Sequence, residues 1–298
     1  MAETLTSFFG GHMKKALSLS KVPGEINESN VFQEGHPGIL AVLDDMVETL
    51  LLPGSGLDGL EHLEELMEKA EAGKSCLLLP EHYSNMDLSI ISLIARKAGG
   101  RGGDIAKAIV ALSGVKLNED NPGVAAYAGA YSRIVIYPSR QMPEGDSEKD
   151  KAELLRAAAI NRAAMKAVNE KKAAGKLILI FPAGTRYRPW DPQTKKGVRE
   201  IDSYIRSFDY MCFIAINGQL LHLQEKDMLD DIVEKDLVRV TAGPVISCSE
   251  FRRQIKAEID DDEKDEDQKR VVADVIMAIL EEMHVEAEAK RQKLIGAK

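Results

Sequence analysis

From Lys74 onward, short apolar runs alternate with segments of helical periodicity, and this alternation narrows the choice of fold more than any other feature. Each apolar run is four to six residues long: CLLLP (76–80), IVAL (109–112), RIVIY (133–137), LILIF (177–181) and MCFIAI (211–216). Helices are predicted between them, over about 87–98, 123–131 and 148–174. Strands that alternate with helices form sheets with helices on both faces. The sequence therefore predicts an α/β fold with a mixed sheet covered by helices on both faces.

The first 73 residues differ in pattern from the rest and are predicted to form an N-terminal arm and a small helical cap. Apolar residues recur at helical spacing over Ile39–Leu52 and Leu57–Ala72. Residues 7–22 (SFFGGHMKKALSLSKV) have the pattern of a short basic amphipathic segment at a membrane surface, but a packed or frayed arm is the preferred interpretation. Residues 74–298 are assigned to the α/β domain with its C-terminal helices.

Most of the net negative charge of the chain lies near its C-terminal end. The net charge is −9, and residues 260–267 (DDDEKDED) alone supply −6. Residues 237–247 contain a further predicted strand, and helices over about 249–259 and 267–293 flank the acidic stretch, which is predicted to be a solvated connector. Nucleic acid is not an expected partner, because an acidic chain without a basic block cannot neutralise phosphates.

The cysteines and the hydropathy pattern favour a cytoplasmic protein. Cys76, Cys212 and Cys248 are odd in number and lack CxxC spacing, which argues against a disulfide framework and a zinc site. The longest apolar runs fall far short of the roughly 20 residues that a membrane-spanning helix needs. Glu3 and two glycines interrupt the N-terminal apolar stretch, so no signal peptide is expected. Any membrane contact is expected to be peripheral.

Polar loops follow three of the predicted strands. EHYSNMD (81–87) follows the first strand, PSRQ (138–141) follows the third, and PAGTRYRP (182–189) follows the fourth. In open α/β sheets, ligands bind in the crevice outside the carboxyl ends of the strands. The sequence therefore predicts an active site where these three loops converge.

His82 and Asp87 stand five residues apart, where a strand ends and a helix begins. A carboxylate beside one imidazole nitrogen fixes the tautomer and stabilises the cation that forms when the other nitrogen takes a proton. Without a neighbouring serine nucleophile, the pair suits activation of a substrate hydroxyl. The alternative interpretation makes Asp87 a helix N-cap and His82 a hydrogen-bonded turn residue. The spacing alone is weak evidence, because His222 and Asp227 share it within a charged stretch. The remaining histidines show no partner in the sequence and are expected at the surface or in packing: His12, His36, His62 and His284.

Each of the other two loops contains arginine. Arg186 and Arg188 follow Gly184, and Arg140 lies in the loop after the preceding strand. Guanidinium groups match phosphate or carboxylate oxygens, and glycine lets the backbone approach a ligand closely. The pattern predicts a phosphate subsite, whose charge is extended by Lys195, Lys196 and Arg199. Ordinary surface charge pairing is the alternative. The sequence has no Walker A motif, no GxGxxG motif after a predicted strand and no GxSxG motif, which argues against a kinase, a dehydrogenase and an α/β-type serine hydrolase.

Taken together, EHYSNMD, the arginine of PSRQ and FPAGTR resemble the three sequence blocks of the glycerolipid acyltransferase superfamily. IYPSRQM (136–142) and GTRYRPWDP (184–192) are similar to the soluble plastid-type glycerol-3-phosphate acyltransferases. The resemblance covers about residues 75–220. Ala183 stands where the commoner third block has glutamate, and Ser139 and Gln141 are less basic than the plastid pattern. No clear proline-bearing fourth block is present; MCFIAING occupies its place.

The resemblance implies a role for each matching residue. His82 would be the general base and Asp87 its orienting partner; Arg140, Arg186 and Arg188 would bind the acceptor phosphate on a loop shaped by Gly184 and Thr185. The implied reaction moves an acyl group from acyl-CoA or acyl carrier protein to a hydroxyl of glycerol 3-phosphate, without a cofactor or metal. An apolar channel for the acyl chain is expected, with walls from the N-terminal helices. The alternative acceptor is 1-acylglycerol 3-phosphate; more distant alternatives are a thioesterase and a non-enzymatic lipid-binding protein.

Overall fold

A mixed sheet forms the centre of the protein in the computed structural model, which describes residues 3–21, 23–119, 122–225, 228–257 and 265–296. The strands are β1 (Phe32–Gln33), β2 (Gly56–Asp58), β3 (Cys76–Pro80), β4 (Ile109–Gly114), β5 (Arg133–Ile136), β6 (Leu177–Leu179), β7 (Tyr210–Asn217), β8 (Leu221–His222), β9 (Ile232–Val233), β10 (Arg239–Ala242) and β11 (Ile246–Ser247). The acidic stretch predicted as a connector lies outside the described residues, apart from the start of the last helix, and so does Asp227.

Among the described residues, nine strands form one sheet in the order β1-β5-β4-β6-β3-β7-β10-β2, with β11 paired to β7. The five central strands, from β5 to β7, run parallel. The sheet becomes mixed at its edges, where β1, β10 and β11 pair antiparallel to their neighbours. β8 and β9 form a separate antiparallel pair. This topology brings the carboxyl ends of β3, β4, β5 and β6 to one edge of the sheet.

Helices cover both faces of the sheet, as the sequence predicts. The described helices are α1 (Leu5–Leu19), α2 (Pro37–Leu50), α3 (Leu60–Glu71), α4 (Asp87–Lys97), α5 (Gly102–Ala108), α6 (Lys116–Glu119), α7 (Pro122–Ala128), α8 (Glu148–Ala173), α9 (Glu200–Arg206), α10 (Cys248–Lys256) and α11 (Asp265–Gly296). Cys76 and Leu78 of β3 pack toward the helices from α1 to α5 and α7, whereas Leu77 and Leu79 pack toward α8–α11. The period-2 alternation of side chains thus divides the core into two layers.

The N-terminal segment is more closely integrated with the sheet than the predicted helical cap would be. Leu5, Phe9 and Ala16 of α1 are buried, which confirms the packed arm. The first 73 residues also form two strands of the sheet: β1 pairs with β5 at one edge, and β2 pairs with β10 at the other. Strands from both sides of the predicted division therefore pair in one sheet. None of the described helices is long and apolar enough to cross a membrane.

Two predicted elements are wrong in their bounds, and a glycine in the first and a proline in the second give the reason. The predicted helix over 57–72 begins only at Leu60, because Gly59 adopts φ +77 and turns the chain between β2 and α3. The predicted strand over 237–247 is divided into β10 and β11 by Gly243 and Pro244. Proline has no N–H with which to continue a ladder, so the strand ends there.

All three cysteines are buried and free. Burial raises the pKa of Cys76, Cys212 and Cys248 to about 12. Their thiols therefore stay protonated at neutral pH and behave as small apolar groups in the core.

Leu78 offers a test of the core, because it lies in the central strand β3 with 1% of its surface exposed. We expect Leu78→Ala to lower the free energy of unfolding by about 2–5 kcal/mol, because it removes buried methyl groups and leaves a cavity. The matched control is Leu155→Ala, at a leucine that is 73% exposed, with an expected change within about 0.5 kcal/mol. Urea unfolding of both variants measures the difference. Equal losses would contradict the placement of β3 at the centre of the core.

Candidate active site

The carboxyl ends of β3, β4, β5 and β6 open into a cleft of about 1460 Å³. Six of the seven predicted site residues line this cleft: His82, Arg140, Gly184, Thr185, Arg186 and Arg188. The seventh, Asp87, lies behind His82 and is 2% exposed. The structure therefore brings together residues that are separated by up to about a hundred positions in the chain, as expected for loops that leave one edge of a parallel sheet.

His82 and Asp87 form a direct pair. The distance from His82 Nδ1 to Asp87 Oδ2 is 2.9 Å. The same carboxylate accepts hydrogen bonds from the backbone N–H groups of Tyr83 (2.6 Å) and Ser84 (2.9 Å) and from the Ser84 hydroxyl (2.8 Å). These donors satisfy the buried negative charge, so the carboxylate is held in one position against the imidazole.

This geometry excludes the simple N-cap interpretation of Asp87. The helix α4 begins at Asp87, its N-cap residue is Met86, and no side chain caps it. The carboxylate of Asp87 instead faces the preceding loop and His82. Because a carboxylate accepts at Nδ1, the neutral imidazole carries its proton there, which leaves a lone pair on Nε2. Nε2 has no hydrogen-bond partner in the part of the chain that the structure describes.

The loop after β6 is held against His82 at both of its ends. The Phe181 ring stacks on the imidazole, with 3.9 Å between ring centroids and 17° between planes. The backbone N–H of Tyr187 donates to the carbonyl oxygen of His82 at 2.8 Å. Between them, Gly184 donates to Phe181 O at 2.8 Å and adopts φ +61, a region that favours glycine. A Cβ at Gly184 would also lie 3.0 Å from Val198 Cγ1, so the turn requires a residue without a side chain.

The three predicted arginines differ in how they are held. Arg186 Nη1 lies 3.1 Å from an oxygen of Asp231, whose side chain is 1% exposed. Arg140 donates to the carbonyl oxygen of Gly184. Arg188 forms no ion pair with any carboxylate among the described residues. Arg186 is therefore a fixed group, and Arg188 is the guanidinium with the fewest protein partners.

The electrostatics of these arginines favour a bound anion. Loss of hydration within the cleft lowers the pKa of Arg140, and the charge of Arg188 lowers it further. Burial likewise lowers the pKa of Arg186, although the charge of Asp231 opposes this effect. Both shifts mean that the cationic forms lack full compensation. A phosphate among the three guanidinium groups would supply the missing negative charge.

The cleft is positively charged although the chain is acidic. Glu200 is the one acidic side chain within the described lining. The same lining includes eight basic side chains: Lys116, Arg133, Arg140, Arg186, Arg188, Lys196, Arg199 and Arg270. Lys196 and Arg199 thus extend the positive surface as predicted. Lys195 does not line the cleft and pairs with Glu281 of α11, so its predicted contribution is wrong. The short helical turn over Pro192–Lys195 ends between the two lysines, and Lys196 has an extended backbone.

A second part of the cleft is apolar. Leu5 of α1 and Leu43 of α2 line it together with Met86, Leu88 and Leu229. The N-terminal helices therefore contribute walls to the same cleft that carries His82. Positive charge at one part and apolar side chains at another suit a ligand that combines an anionic group with a hydrocarbon chain.

The expectation that the other histidines lack partners is wrong. Their partners are Asp45 for His12 (2.7 Å), the Gly38 N–H for His36 (3.1 Å), the Ala242 carbonyl for His62 (2.9 Å) and Glu81 for His284 (3.0 Å). His222 Nε2 lies 2.7 Å from a carboxylate oxygen of Glu234, and the His222 side chain as a whole is 40% exposed. Most of these contacts join distant parts of the chain, so sequence context could not reveal them.

Glu81, Tyr83 and His284 form a polar cluster that the sequence analysis missed. The carboxylate of Glu81 is buried and accepts from the Tyr83 hydroxyl at 2.7 Å and from the Ile216 N–H at 2.8 Å. The pKa of His284 is raised: burial alone would lower it, but the hydrogen bond and charge of Glu81 and the charges of Glu281 and Glu288 outweigh burial. Glu81 and Tyr83 flank His82 in EHYSNMD, which was a usable signal, whereas His284 is 203 residues from Glu81.

Comparison with protein-family profiles and with curated proteins finds no match to this chain. The chemical interpretation of the cleft therefore depends on its own residues and on the resemblance of its three loops. In the described ranges, no group of three or more His, Cys, Asp and Glu side chains is arranged to hold a metal ion.

The raised pKa of His284 predicts a pH dependence of stability. The ion pair with Glu81 contributes stability that is fully present below the unfolded pKa of about 6.5 and is lost as pH rises through the higher folded pKa. We expect the free energy of unfolding of the wild type, relative to His284→Gln, to fall across that window. Urea unfolding between pH 5.5 and 8.5 measures the difference. A constant difference between the two proteins over this range would contradict the raised pKa.

Proposed function

We propose that this protein is an acyltransferase that moves a fatty acyl group from an acyl thioester, on coenzyme A or acyl carrier protein, to a hydroxyl of glycerol 3-phosphate. One observation carries the proposal. The His82–Asp87 pair and the guanidinium groups of Arg140, Arg186 and Arg188 share one cleft that also has apolar walls. A base, an anion subsite and an apolar surface are the three requirements for this reaction.

In the proposed mechanism, His82 Nε2 takes the proton of the acceptor hydroxyl while the oxygen attacks the thioester carbonyl carbon. Asp87 stabilises the imidazolium that forms, since its carboxylate is held 2.9 Å from Nδ1. The C–S bond of the tetrahedral intermediate then breaks, and the imidazolium returns its proton to the departing thiolate. The products are the ester and the free thiol, and His82 is regenerated.

The tetrahedral intermediate carries a negative oxygen that requires hydrogen-bond donors. The backbone N–H groups of Thr185 and Arg186 donate to no acceptor among the described residues. Both lie in the loop that Phe181 and Tyr187 hold against His82. They are the donors that we assign to the oxyanion.

The arginines favour a transferase over a thioesterase. A hydrolase activates water and needs no phosphate subsite for its acceptor, whereas a phosphorylated acceptor needs one. Arg188, which lacks a carboxylate partner among the described residues, is free to bind a phosphate without breaking a protein ion pair. The same subsite would hold the phosphate of 1-acylglycerol 3-phosphate, so the assay below compares both acceptors.

The first prediction from the proposed function concerns His82. We expect His82→Ala to lower acceptor-dependent turnover by about 10²- to 10⁴-fold, because it removes the general base. Release of free thiol from an acyl thioester measures turnover, with no acceptor, glycerol 3-phosphate or 1-acylglycerol 3-phosphate. The matched control is His222→Ala, which removes a histidine paired with Glu234 and should retain wild-type turnover. Thiol release that does not depend on an acceptor would identify a hydrolase, and release unchanged in His82→Ala would exclude the proposed base.

The second prediction concerns Arg188. We expect Arg188→Ala to raise the KM for glycerol 3-phosphate by about 10- to 150-fold, because a charge-assisted hydrogen bond contributes about 1.5–3 kcal/mol. Arg188 is preferred to Arg186 because removing Arg186 would leave the buried carboxylate of Asp231 without this ion pair. Lys195→Ala is the control, since Lys195 pairs with Glu281 outside the cleft. A KM that is equal in the two variants would argue against a phosphate subsite at Arg188.

A further inference from the structure

The two residues that flank His82 direct their side chains away from the cleft. Neither Glu81 nor Tyr83 lines the cleft, although His82 between them does. Glu81 is 6% exposed, and its carboxylate receives the Tyr83 hydroxyl (2.7 Å), the Ile216 N–H (2.8 Å) and His284 Nδ1 (3.0 Å). A buried carboxylate with three donors lies beside the proposed catalytic histidine and has no part in the mechanism above.

These contacts fix the main chain on both sides of His82. The backbone N–H of Glu81 donates to Ile214 O of β7 at 3.0 Å, which continues the sheet past the end of β3. The backbone N–H of Tyr83 donates to Asp87 at 2.6 Å, while its hydroxyl donates to Glu81. The Tyr83–Glu81 bond closes a short loop that contains His82, so displacement of either neighbour would move the imidazole relative to Asp87.

The C-terminal helix completes the arrangement. His284 lies on α11, which packs against β7. The Asn217 side-chain amide of β7 donates to the His284 carbonyl oxygen and to Glu288, both at 3.0 Å. The backbone of α11 at His284 is therefore held to the strand whose Ile216 N–H also binds Glu81. A residue about 200 positions away along the chain thus contacts the loop that carries His82.

Charge makes His284 more than a packing residue. The buried carboxylate of Glu81 needs a compensating cation or several donors, because an uncompensated buried charge is strongly destabilising. The groups that face His284 are acidic or phenolic: Glu81, Tyr83, Glu281 and Glu288. Two of these acids have other cationic partners, since Lys195 pairs with Glu281 and Arg291 with Glu288. Among the described residues, His284 is therefore the basic side chain that contacts Glu81.

We infer that Glu81, Tyr83 and His284 form a positioning unit that holds the His82 imidazole in register with Asp87 and the cleft. The unit acts through His82 and does not touch the substrate. Its effect on turnover rests on the proposed function. Its effect on the orientation of His82 does not, so the two can be tested separately.

The orientation test uses the purified 298-residue chain and NMR of its histidine side chains labelled with ¹⁵N. The chain has six histidines, so the signals of His82 are assigned by their loss in His82→Ala. We expect wild-type His82 to show one tautomer, with the proton on Nδ1. In Glu81→Gln and His284→Gln its signals should shift toward a mixture of tautomers, while the matched control His222→Gln should leave them unchanged.

Turnover supplies a readout that a purely structural role would not produce. We expect Glu81→Gln and His284→Gln to lower kcat by roughly 10- to 100-fold, because a small misplacement of a catalytic group is costly. The KM for glycerol 3-phosphate should stay within about twofold, since the arginine subsite is intact. Tyr83→Phe removes only one hydroxyl and provides a milder variant if Glu81→Gln does not fold, as judged by near-ultraviolet circular dichroism.

The outcomes separate the two proposals. His82 signals that are the same in folded His284→Gln, folded Tyr83→Phe and wild type would overturn the positioning unit, whatever the activity. A variant whose KM rises by the same factor as its kcat falls would also overturn the positioning unit, because that result would indicate general damage to the cleft. If the wild type shows no acceptor-dependent turnover, the proposed function fails, and the NMR comparison still decides whether the unit positions His82.

Discussion

The parallel pairing of β3 with β6 is the interaction on which the rest of the site depends. Cys76 pairs with Leu177 and Leu78 with Leu179, so the two strands leave the sheet side by side and in the same direction. Their loops then interlock through the stacking of Phe181 on His82. This single pairing places the His82 imidazole within contact distance of the arginine-bearing loop that turns at Gly184.

Charge separation within the fold gives the cleft its character. The chain carries a net charge of −9, yet nearly all of the charged side chains in the described cleft lining are basic. Most acidic side chains therefore lie outside the cleft lining. Several of them form ion pairs with basic residues that would otherwise be available to a ligand, as Glu281 does with Lys195. The buried carboxylates near the site act locally: Asp87 on His82, Asp231 on Arg186 and Glu81 on His284. Opposite charges inside a low-dielectric cleft interact strongly, which favours an anionic ligand over bulk counterions.

The sequence predicts the sheet and the loops well where local pattern carries the information. The central strands and the helix over 148–174 lie where hydropathy and periodicity place them, and the three polar loops do converge. Prediction fails where tertiary contact decides. β2 is read as helix because its apolar residues continue the pattern of α3, and only Gly59 marks the turn. The Arg186–Asp231 pair joins residues 45 positions apart, and the Glu81–His284 pair joins residues 203 positions apart. No local pattern encodes such partners, so they needed the structure.

Both edges of the sheet are built from the first 73 residues, and this arrangement has a consequence for how the chain reaches its native state. β1 covers one edge and β2 covers the other, where Ser55 and Val238 are joined across 183 positions. During synthesis the N-terminal residues emerge first, but β2 has no strand to pair with until β10 has been made. Such non-local pairing carries a large loop-closure entropy and slows folding. This edge of the sheet can therefore close only after β10 has been made, and until then β2 and the edge of β7 present unpaired backbone groups.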